Sequence, residues 1–572
     1  MVAFPNLEIL HLKKLNNISD IWGKNYNNNS SLGGYNDAGI IVFPRLTELE
    51  LCDLPNLIDS SYGSGQPNSC KVAFPNLVQF NLQNLEVNLE WMELGRDDST
   101  CKLKSLSISY EKEKQLPYTW KDQLSNLESL IVKHCFSDML KSRCFFKELK
   151  VLQVNKVECS TLFSFSVLRS LQQLQELQIS NCTLLEEIVE DVTGDEASSM
   201  VKNTITLFQL KSVVLEELPK LRSFIHGANY ELQMPNILSI KVTNCGLSTL
   251  FTCSIFHKLQ LKALSVYNCK LLEGIVADEK GFEISGTDDK IITVSGLSSI
   301  ILVDLPKLRS FIHGANYELH MPDISSIEVT NCGLSTLFTC SIFQKLQLKT
   351  LLVYNCKFLE GIVADEKGIE ISGTDDKIIT VSRLSSVILV GLPNLKNFIQ
   401  GTNYELHFPV LKFLQVKSCG LSNLFPLSVF QELQELKYLM VSGCNLLEGI
   451  VVDGRGIRTS NSNDKIITLP ELLSVELDHL PNLKGFSLAV SYTFNVPKLY
   501  NFKVHNSPLL ENITSLRTST GLVKVHFEWN KWQKVPALND FTNQNNKTLD
   551  SAKHQPLEAS FYFFPWSCPW AY

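Results

Sequence analysis

The stretch "LQELQISNC" (Leu174–Cys182) contains the pattern on which the fold depends. Its first, fourth and sixth residues are apolar, and the last two of these alternate with polar residues, which is the periodicity of a short β-strand with one buried face. A single strand and its return segment cannot bury that apolar face alone. The pattern therefore predicts a stack of similar repeats, each covered by its neighbours.

Further copies of the pattern run through the whole chain of 572 residues. The template L-x-x-L-x-L, with Ile, Val or Phe also allowed, begins at Leu7, Leu46, Leu77, Leu103, Leu127, Leu149, Leu174, Leu210, Ile237, Leu261, Leu297, Ile324, Leu348, Leu384, Leu411, Leu436, Leu472 and Leu499. A weaker copy begins at Leu522. We therefore predict an α/β solenoid of about 18–19 leucine-rich repeats, a horseshoe with a concave parallel β-sheet and with loops and short helices on its convex side.

A longer period contains three repeats. From Leu174 the spacings run 36, 27 and 24 residues and then start again, which gives a unit of 87 residues. "LPKLRSFIHGANYEL" accordingly occurs twice, at Leu218–Leu232 and at Leu305–Leu319. We predict irregular repeats with long loop insertions in residues 1–102, short repeats in 103–173, the 87-residue units in 174–527, and a largely disordered tail in 528–572.

Segments between the strands carry signals of their own. Apolar residues at helical spacing predict short helices in "TCSIFHKLQL" (Thr252–Leu261) and "FPLSVFQELQEL" (Phe425–Leu436). Stretches rich in Asn, Gly and Ser, or charged and containing Gly, predict loops at Gly23–Gly39, Ser60–Ser69, Val276–Lys290, Val363–Lys377 and Val451–Lys465. The last three recur one unit apart, so we expect them to project from one edge of the solenoid.

Charge and hydropathy exclude several classes of partner. The net charge is −7 and the chain has no run of five basic residues, which argues against nucleic acid as a partner, because phosphate binding needs clustered Lys and Arg. The start "MVAFPNLEILHL" lacks the features of a signal peptide. No stretch of about 18 apolar residues predicts a membrane span.

Half of the sixteen cysteines follow the repeat. None forms a C-x-x-C pair, and in a chain without a secretory signal we expect reduced thiols. Eight of them stand eight residues after the first Leu of a repeat, where a small buried thiol suits a turn: Cys135, Cys182, Cys245, Cys269, Cys332, Cys356, Cys419 and Cys444. They predict neither a metal site nor a disulfide array, since successive copies have no paired Cys or His.

No pattern of an enzyme is present. The chain contains no H-E-x-x-H, G-x-S-x-G, G-x-G-x-x-G or phosphate-loop motif. His226 and His313 occupy the same place in two units, but the third unit has Gln400 there, which is incompatible with an essential catalytic base. We therefore predict a non-enzymatic protein.

The phrases "FPNLEILHLKKLNNISDIW", "LQELQISNCTLLEEIVED" and "LKYLMVSGCNLLEGIV" resemble the leucine-rich-repeat region of plant disease-resistance proteins, in the coiled-coil class of intracellular nucleotide-binding receptors. The resemblance covers about Met1–Phe527. It implies a protein-recognition module that acts in the defense response and detects pathogen effectors or guarded host proteins. It also implies a cytoplasmic, and potentially nuclear, location and a second partner, the receptor's own nucleotide-binding domain.

The chain also departs from that family. It has no phosphate loop, so ATP or ADP is expected only in a nucleotide-binding domain that this sequence lacks. It opens within the repeat pattern, which leads us to expect a fragment of a larger receptor; the alternative is a stand-alone binding scaffold or decoy. A membrane-receptor ectodomain would need the L-x-G-x-I-P signature, and a ubiquitin-ligase adaptor would need an F-box before Leu46; neither is present.

Binding residues are expected on the outward face of the sheet. Side chains alternate along a strand, so the third, fifth and seventh residues of each repeat point away from the core. The candidate protein-binding surface comprises Lys241, Ala263, Ser265, Tyr267, Ile301, Glu328, Thr350, Leu352, Tyr354, Ile388, Phe413, Gln415, Lys417, Tyr438 and Met440.

An internal comparison draws attention to part of this set. The segments Leu218–Lys290 and Leu305–Lys377 differ at nine of 73 positions. Their two complete Cys-type strands contribute six outward positions, and three of these differ: Lys241/Glu328, Ala263/Thr350 and Ser265/Leu352. A charge reversal among outward residues is the pattern that a diversifying recognition surface would show.

Overall fold

The computed structural model describes residues 4–18, 40–57, 71–85, 89, 92–94, 101–110, 120, 124–134, 140–141, 146–190, 203–224, 230–277, 291–313, 318–364, 378–400, 405–452, 465–488, 492–510, 516–517 and 524–528. Met1–Asn530 form one compact unit and Lys531–Tyr572 a second, which lies outside the described residues. The loops predicted at Gly23–Gly39 and Ser60–Ser69 lie outside them, as does the predicted tail apart from Glu528.

A parallel β-sheet of 19 strands runs through the described part of the chain. Each strand begins two residues after the first Leu of a repeat and pairs with the strand of the next repeat. The strands are β1 (Ile9–Lys13), β2 (Glu48–Cys52), β3 (Gln79–Gln83), β4 (Ser105–Ser109), β5 (Ser129–Lys133), β6 (Val151–Asn155), β7 (Glu176–Ser180), β8 (Ser212–Leu218), β9 (Ser239–Cys245), β10 (Ala263–Tyr267), β11 (Ser299–Val303), β12 (Ser326–Thr330), β13 (Thr350–Tyr354), β14 (Ser386–Val390), β15 (Phe413–Lys417), β16 (Tyr438–Ser442), β17 (Ser474–Asp478), β18 (Asn501–His505) and β19 (Lys524–Glu528). The predicted leucine-rich-repeat solenoid is confirmed, and the weak copy at Leu522 supplies the last strand.

Alternation along each strand separates the core from the outward face. In β13, Leu351 and Val353 are buried, whereas Thr350, Leu352 and Tyr354 are half-buried. Burying an aliphatic side chain of this size contributes about 1.5–3 kcal/mol, so the two core positions of each strand account for much of the stability of a coil. The core side chains of successive coils form one continuous hydrophobic cluster.

The first strand shows what a neighbouring coil contributes. In β1, Leu10 and Leu12 are only half-buried, although the same positions in the next strand, Leu49 and Leu51, have no exposed surface. Ile9 is 54% exposed. The difference follows from β1 pairing on one side only. The two core residues of a strand are thus fully buried only when neighbouring repeats cover them, and not within a single repeat.

The strands end in a common turn. Asn331 and Asn355 follow β12 and β13 with φ of 51° and 54°, a left-handed conformation that Asn tolerates better than most residues. The next residue is the predicted cysteine. The Cys332 thiol donates to the Thr330 carbonyl oxygen at 3.3 Å, and the Cys332 N–H donates to Cys356 Sγ at 3.4 Å. Burial raises the pKa of the Cys332 thiol to about 12, so this cysteine stays a neutral structural group.

The side of the coils away from the large sheet carries short elements of both kinds. Four short helices are described: α1 (Phe165–Ser170), α2 (Cys253–Phe256), α3 (Cys340–Lys345) and α4 (Leu427–Phe430). Helices α2 and α4 lie in the two segments predicted to be helical, and α3 lies in the copy of the first segment one unit later. Short strands form nine further parallel sheets, which we did not predict: Thr161–Phe163 with Glu187–Val189; Asn203–Thr206 with Tyr230–Gln233; Phe251–Thr252, Gly274–Ala277 and Ser310–His313; Ile41–Val42, Val72–Ala73 and Met92–Glu93; Ile291–Thr293 with Glu318–His320; Phe338–Thr339, Val363–Ala364 and Ile399–Gln400; Ile378–Thr380 with Glu405–His407; Asn423–Pro426, Gly449–Val452 and Gly485–Ser487; Lys465–Thr468, Tyr492–Asn495 and Leu516–Arg517.

These sheets correct the predicted insertion loops at their ends. Val276, Val363 and Val451 belong to short strands that pair with the next coil, and Lys465 begins another. β-branched residues favour such strands, and pairing satisfies backbone groups that a loop would leave to water. The remainder of the three insertions, 278–290, 365–377 and 453–464, lies outside the described residues.

Gly333 marks a close approach between two coils. A Cβ atom at this position would lie 2.2 Å from the carbonyl oxygen of Pro306, which belongs to backbone and cannot rotate away. Gly246 and Gly420 meet Pro219 and Pro393 in the same way, so the contact repeats with the 87-residue unit.

We expect Gly333→Ala to lower the free energy of unfolding by about 1–3 kcal/mol, the usual cost of overpacking. Thermal and urea unfolding would measure it. Ser335→Ala is the matched control, because Ser335 is exposed two residues further on and should tolerate the change. Equal stability of the two variants would contradict the close contact.

Three consecutive coils are also linked by an ion triad at the edge of the sheet. Glu128 lies 2.8 Å from Lys104 Nζ and 2.7 Å from Lys150 Nζ. These two hydrogen-bonded ammonium groups lower the pKa of the Glu128 carboxyl to about 2. The triad is largely exposed, so water and salt weaken it.

Glu128→Gln should lower the melting temperature slightly at neutral pH and low salt, by an amount typical of exposed ion pairs. A carboxyl whose pKa is depressed in the fold stabilises it above the ordinary glutamate pKa and loses that contribution as the pH falls toward 2. The difference between wild type and variant should therefore shrink in acid and in high salt. A difference that is independent of pH would exclude this role of the triad.

Candidate functional site

The outward face of the sheet consists of three rows of side chains. Each strand contributes its first, third and fifth residue, and the parallel register places equivalent residues of neighbouring strands side by side, about 4.8 Å apart. We call these the first, middle and last rows. From β9 to β16 the middle row consists, in order, of Lys241, Ser265, Ile301, Glu328, Leu352, Ile388, Gln415 and Met440.

All fifteen residues of the predicted surface lie on this face. Ala263, Thr350, Phe413 and Tyr438 belong to the first row, and Tyr267, Tyr354 and Lys417 belong to the last row. Lys241, Lys417 and Tyr438 are exposed, and the other twelve are half-buried against their neighbours. The structure thus brings the predicted residues onto one continuous face that spans eight strands.

Lys241 does not stand free on this face. Its ammonium nitrogen lies 2.8 Å from the carboxylate of Glu216, which is the last-row residue of the preceding strand β8. Glu216 was absent from the predicted surface. A search for opposite charges in diagonal positions of neighbouring strands would have found it.

Glu328, at the equivalent position 87 residues later, has different surroundings. Ile301 and Leu352 flank it in the middle row, and Val303 stands where the first unit has Glu216. Within the described part of the chain the Glu328 carboxylate forms neither an ion pair nor a hydrogen bond. Burial among these neighbours raises its pKa above the usual glutamate range.

Apolar side chains make up part of the surroundings of this carboxylate, and its outward neighbours on its own strand are the hydroxyl residues Ser326 and Thr330. In addition to Ile301, Leu352 and Ile388, the last row contributes Val303 and Val390, which the predicted surface omitted although the strand alternation places them there. Tyr354 lies beside them, and both burial and the negative charge of Glu328 raise the pKa of its hydroxyl. The result is a partly apolar patch on β11–β14, in which one carboxylate stands among the aliphatic residues of the middle row.

Two aromatic residues further along the face pack on each other. Phe413 and Tyr438 are register partners in the first row, and their ring centroids lie 6.4 Å apart at an angle of 51°. Tyr438 nevertheless remains 38% exposed. Mutual packing fixes the orientation of both rings and leaves part of the pair accessible.

Other kinds of site find no support among the described residues. No group of three or more His, Cys, Asp or Glu side chains there is arranged to hold a metal ion. No helix within the same ranges is long and apolar enough to cross a membrane. Nothing in the fold points to a catalytic activity, and the face is best considered as a surface for contact with other molecules.

Comparison with known proteins was informative at the level of the family. No curated protein matches the chain. Three solved structures show a weak similarity to the chain. The LRR protein LIC12759 of Leptospira interrogans is 14% identical, and the match covers 60% of this chain and 91% of that one with a TM-score of 0.21. TLR13 in complex with ssRNA13 is 12% identical, with 82% of this chain and 78% of that one covered and a TM-score of 0.20. The plant peptide hormone receptor RGFR1 in complex with RGF2 is 13% identical, with 81% of this chain and 97% of that one covered and a TM-score of 0.16. Such low scores carry no inference about what this chain binds.

The family model is a stronger match. Four overlapping segments, residues 136–270, 259–357, 346–445 and 400–526, match the leucine-rich repeats of plant RPS2-like disease resistance proteins. Together they cover more than half of the chain, including every strand of the candidate surface. The chain therefore belongs to the leucine-rich-repeat family of plant RPS2-like disease resistance proteins.

Proposed function

We propose that the outward face of β9–β16 recognises proteins, as the sensing region of a plant immune receptor. The partner would be a pathogen effector or a host protein that the receptor guards. The observation that carries the proposal is the uninterrupted middle row, in which aliphatic and polar side chains share one ordered sheet. Apolar residues mixed with a few polar anchors are typical of protein-binding surfaces.

The internal duplication supports this assignment. The backbone framework of the two units is nearly identical in sequence, yet Lys241/Glu328, Ala263/Thr350 and Ser265/Leu352 differ, and all six residues lie on the outward face. Substitutions there change the surface without disturbing the buried ladder. A chain under selection for new partners would accumulate changes in these positions.

The receptor's own nucleotide-binding domain is the second partner in this proposal. In receptors of the class that this chain resembles, the repeats restrain an ATPase switch until the ligand is detected. ATP or ADP would bind to that domain and not to the repeats. The receptor would act inside the cell, in the cytoplasm or the nucleus.

A stand-alone binding scaffold or decoy is a second candidate function. Both candidates use the same face, so binding experiments on this chain test them together. Immune output in leaf tissue distinguishes them, because only a receptor region changes the activity of a nucleotide switch.

A paired substitution tests the recognition face. Leu352→Glu with Tyr354→Glu places two carboxylates in the apolar patch and should abolish partner contacts, because buried charges need compensation. We would fuse the chain to a proximity-labelling enzyme, express it in infected leaf tissue and compare the labelled proteins. The matched control is Leu446→Glu, since Leu446 is 58% exposed in a turn outside the large sheet.

The wild type and the Leu446 variant should label the same specific proteins, and the paired variant should lose them while it still unfolds cooperatively on heating. Identical labelling by all three chains would show that the outward face is not the recognition surface.

The charge reversal between the two units can be tested by exchange. Lys241→Glu combined with Glu328→Lys should change partner affinity about tenfold or more, as expected when charges in an interface are misplaced. The stability cost should stay small, because the Lys241–Glu216 pair is exposed and such pairs contribute about 0.2–1 kcal/mol. Affinity and melting temperature of the purified chains would be measured together. A loss of stability as large as the loss of binding free energy would contradict the surface role.

A further inference from the structure

Within the described residues the carboxylate of Glu328 is an unpaired, half-buried charge with aliphatic side chains on both sides in the middle row. Ile301 and Leu352 lie on either side of it in the middle row. In the last row Thr330 follows it on its own strand, and Val303 and Tyr354 stand at the diagonal positions of the two neighbouring strands. No hydrogen-bond donor within the described residues reaches it. An unpaired, partly desolvated carboxylate is unfavourable for the free protein and becomes favourable only when a donor arrives.

The rest of the chain shows that this arrangement is not required by the fold. In the first unit the same position holds Lys241, which pairs with Glu216. In the third unit it holds Gln415, which carries no charge. On β17 the middle-row carboxylate of Glu476 has its own partner, Lys503, at 2.8 Å. Glu328 is therefore a carboxylate for which the sheet provides no cation.

We propose that the patch around Glu328 binds an arginine side chain of a protein partner, with aliphatic residues beside that arginine packing on Leu352 and Ile301. This inference rests on the proposed recognition function of the same face and specifies the chemistry of its ligand. The guanidinium group donates two parallel hydrogen bonds to a carboxylate. It is also weakly hydrated, so it loses less than an ammonium group on entering apolar surroundings.

Tyr354 favours arginine over lysine. It stands at the diagonal position of the strand next to Glu328, and a guanidinium plane can stack on an aromatic face while it bonds to the acid. Other cationic side chains of the chain are remote on this face: Lys241 and Lys417 each lie three strands from Glu328, which is about 14 Å at the usual strand spacing. The patch therefore presents a single negative charge.

The test uses the full chain and phage-displayed random linear peptides as probes. Peptides would be selected on the wild-type chain without counter-selection, synthesised, and measured by biolayer interferometry. We expect arginine flanked by aliphatic residues to be enriched. Glu328→Gln should weaken these peptides at least about tenfold, the size expected when one member of a desolvated charge pair is removed. Replacing the peptide arginine by citrulline should do the same, and both changes together should cost little more than either alone.

The chain supplies its own control variants. Glu476→Gln changes a paired carboxylate in the same row and should leave affinity within about twofold, since a carboxylate that already has its cation offers no site. Leu352→Ser copies the residue at Ser265 in the first unit and should weaken the same peptides without changing the arginine preference. Glu328→Gln introduces the residue that the third unit has at the same position, Gln415. The melting temperature of this variant at neutral pH should not fall below that of the wild type, because an unfavourable charge is removed.

The outcomes separate this inference from the proposed function. Peptides that lose affinity with Leu352→Ser but not with Glu328→Gln, or that show no arginine preference, overturn the arginine site and leave the recognition face standing. Peptides that no substitution on the face affects, or a selection that returns none, count against both. A lysine preference equal to that for arginine would overturn the role given to Tyr354 and the guanidinium.

Discussion

Side-by-side packing of the apolar residues of successive coils is the constraint on which the structure depends. Each strand buries two side chains, but it does so only when a strand lies on both sides, as the half-buried Leu10 and Leu12 of β1 show. The buried residues cannot vary much, because cores tolerate neither cavities nor extra volume. The turns that follow the strands are also constrained, by a left-handed residue and, in the repeats that have one, by the following cysteine. Variation is therefore confined to the outward rows.

This division explains how the 87-residue unit can be copied and still acquire new chemistry. Leu302, Val329 and Val353 remain buried in the second unit just as Leu215, Val242 and Val266 do in the first. Between these residues, outward side chains differ in charge and size without touching the ladder. The same position of the repeat holds a paired cation in the first unit, Lys241 with Glu216. In the second unit it holds Glu328, a carboxylate that has no partner among the described residues. A recognition surface of this kind changes by single substitutions at little cost in stability.

Sequence periodicity predicted most of the fold and only part of the site. The copies of L-x-x-L-x-L predicted all 19 strands, because burial of alternate residues leaves a regular trace. The same alternation placed Glu328 and Leu352 on the outward face. It did not predict the Lys241–Glu216 pair, which depends on a diagonal contact between two coils. The short outer strands such as Val363–Ala364 were also missed, since two residues are too few to show a period.

The near-identity of Leu218–Lys290 and Leu305–Lys377 has a genetic consequence. Unequal exchange between two such stretches removes or adds a whole unit in frame, and the new junction joins coils whose buried and turn residues already match. Each event would lengthen or shorten the sheet by three strands, or about 14 Å. The patch around Glu328 would keep its residues. Its distance from outward residues beyond the point of exchange would change. The number of 87-residue units thus sets the distance between two contact sites on the sheet, and a partner that uses both must match that distance.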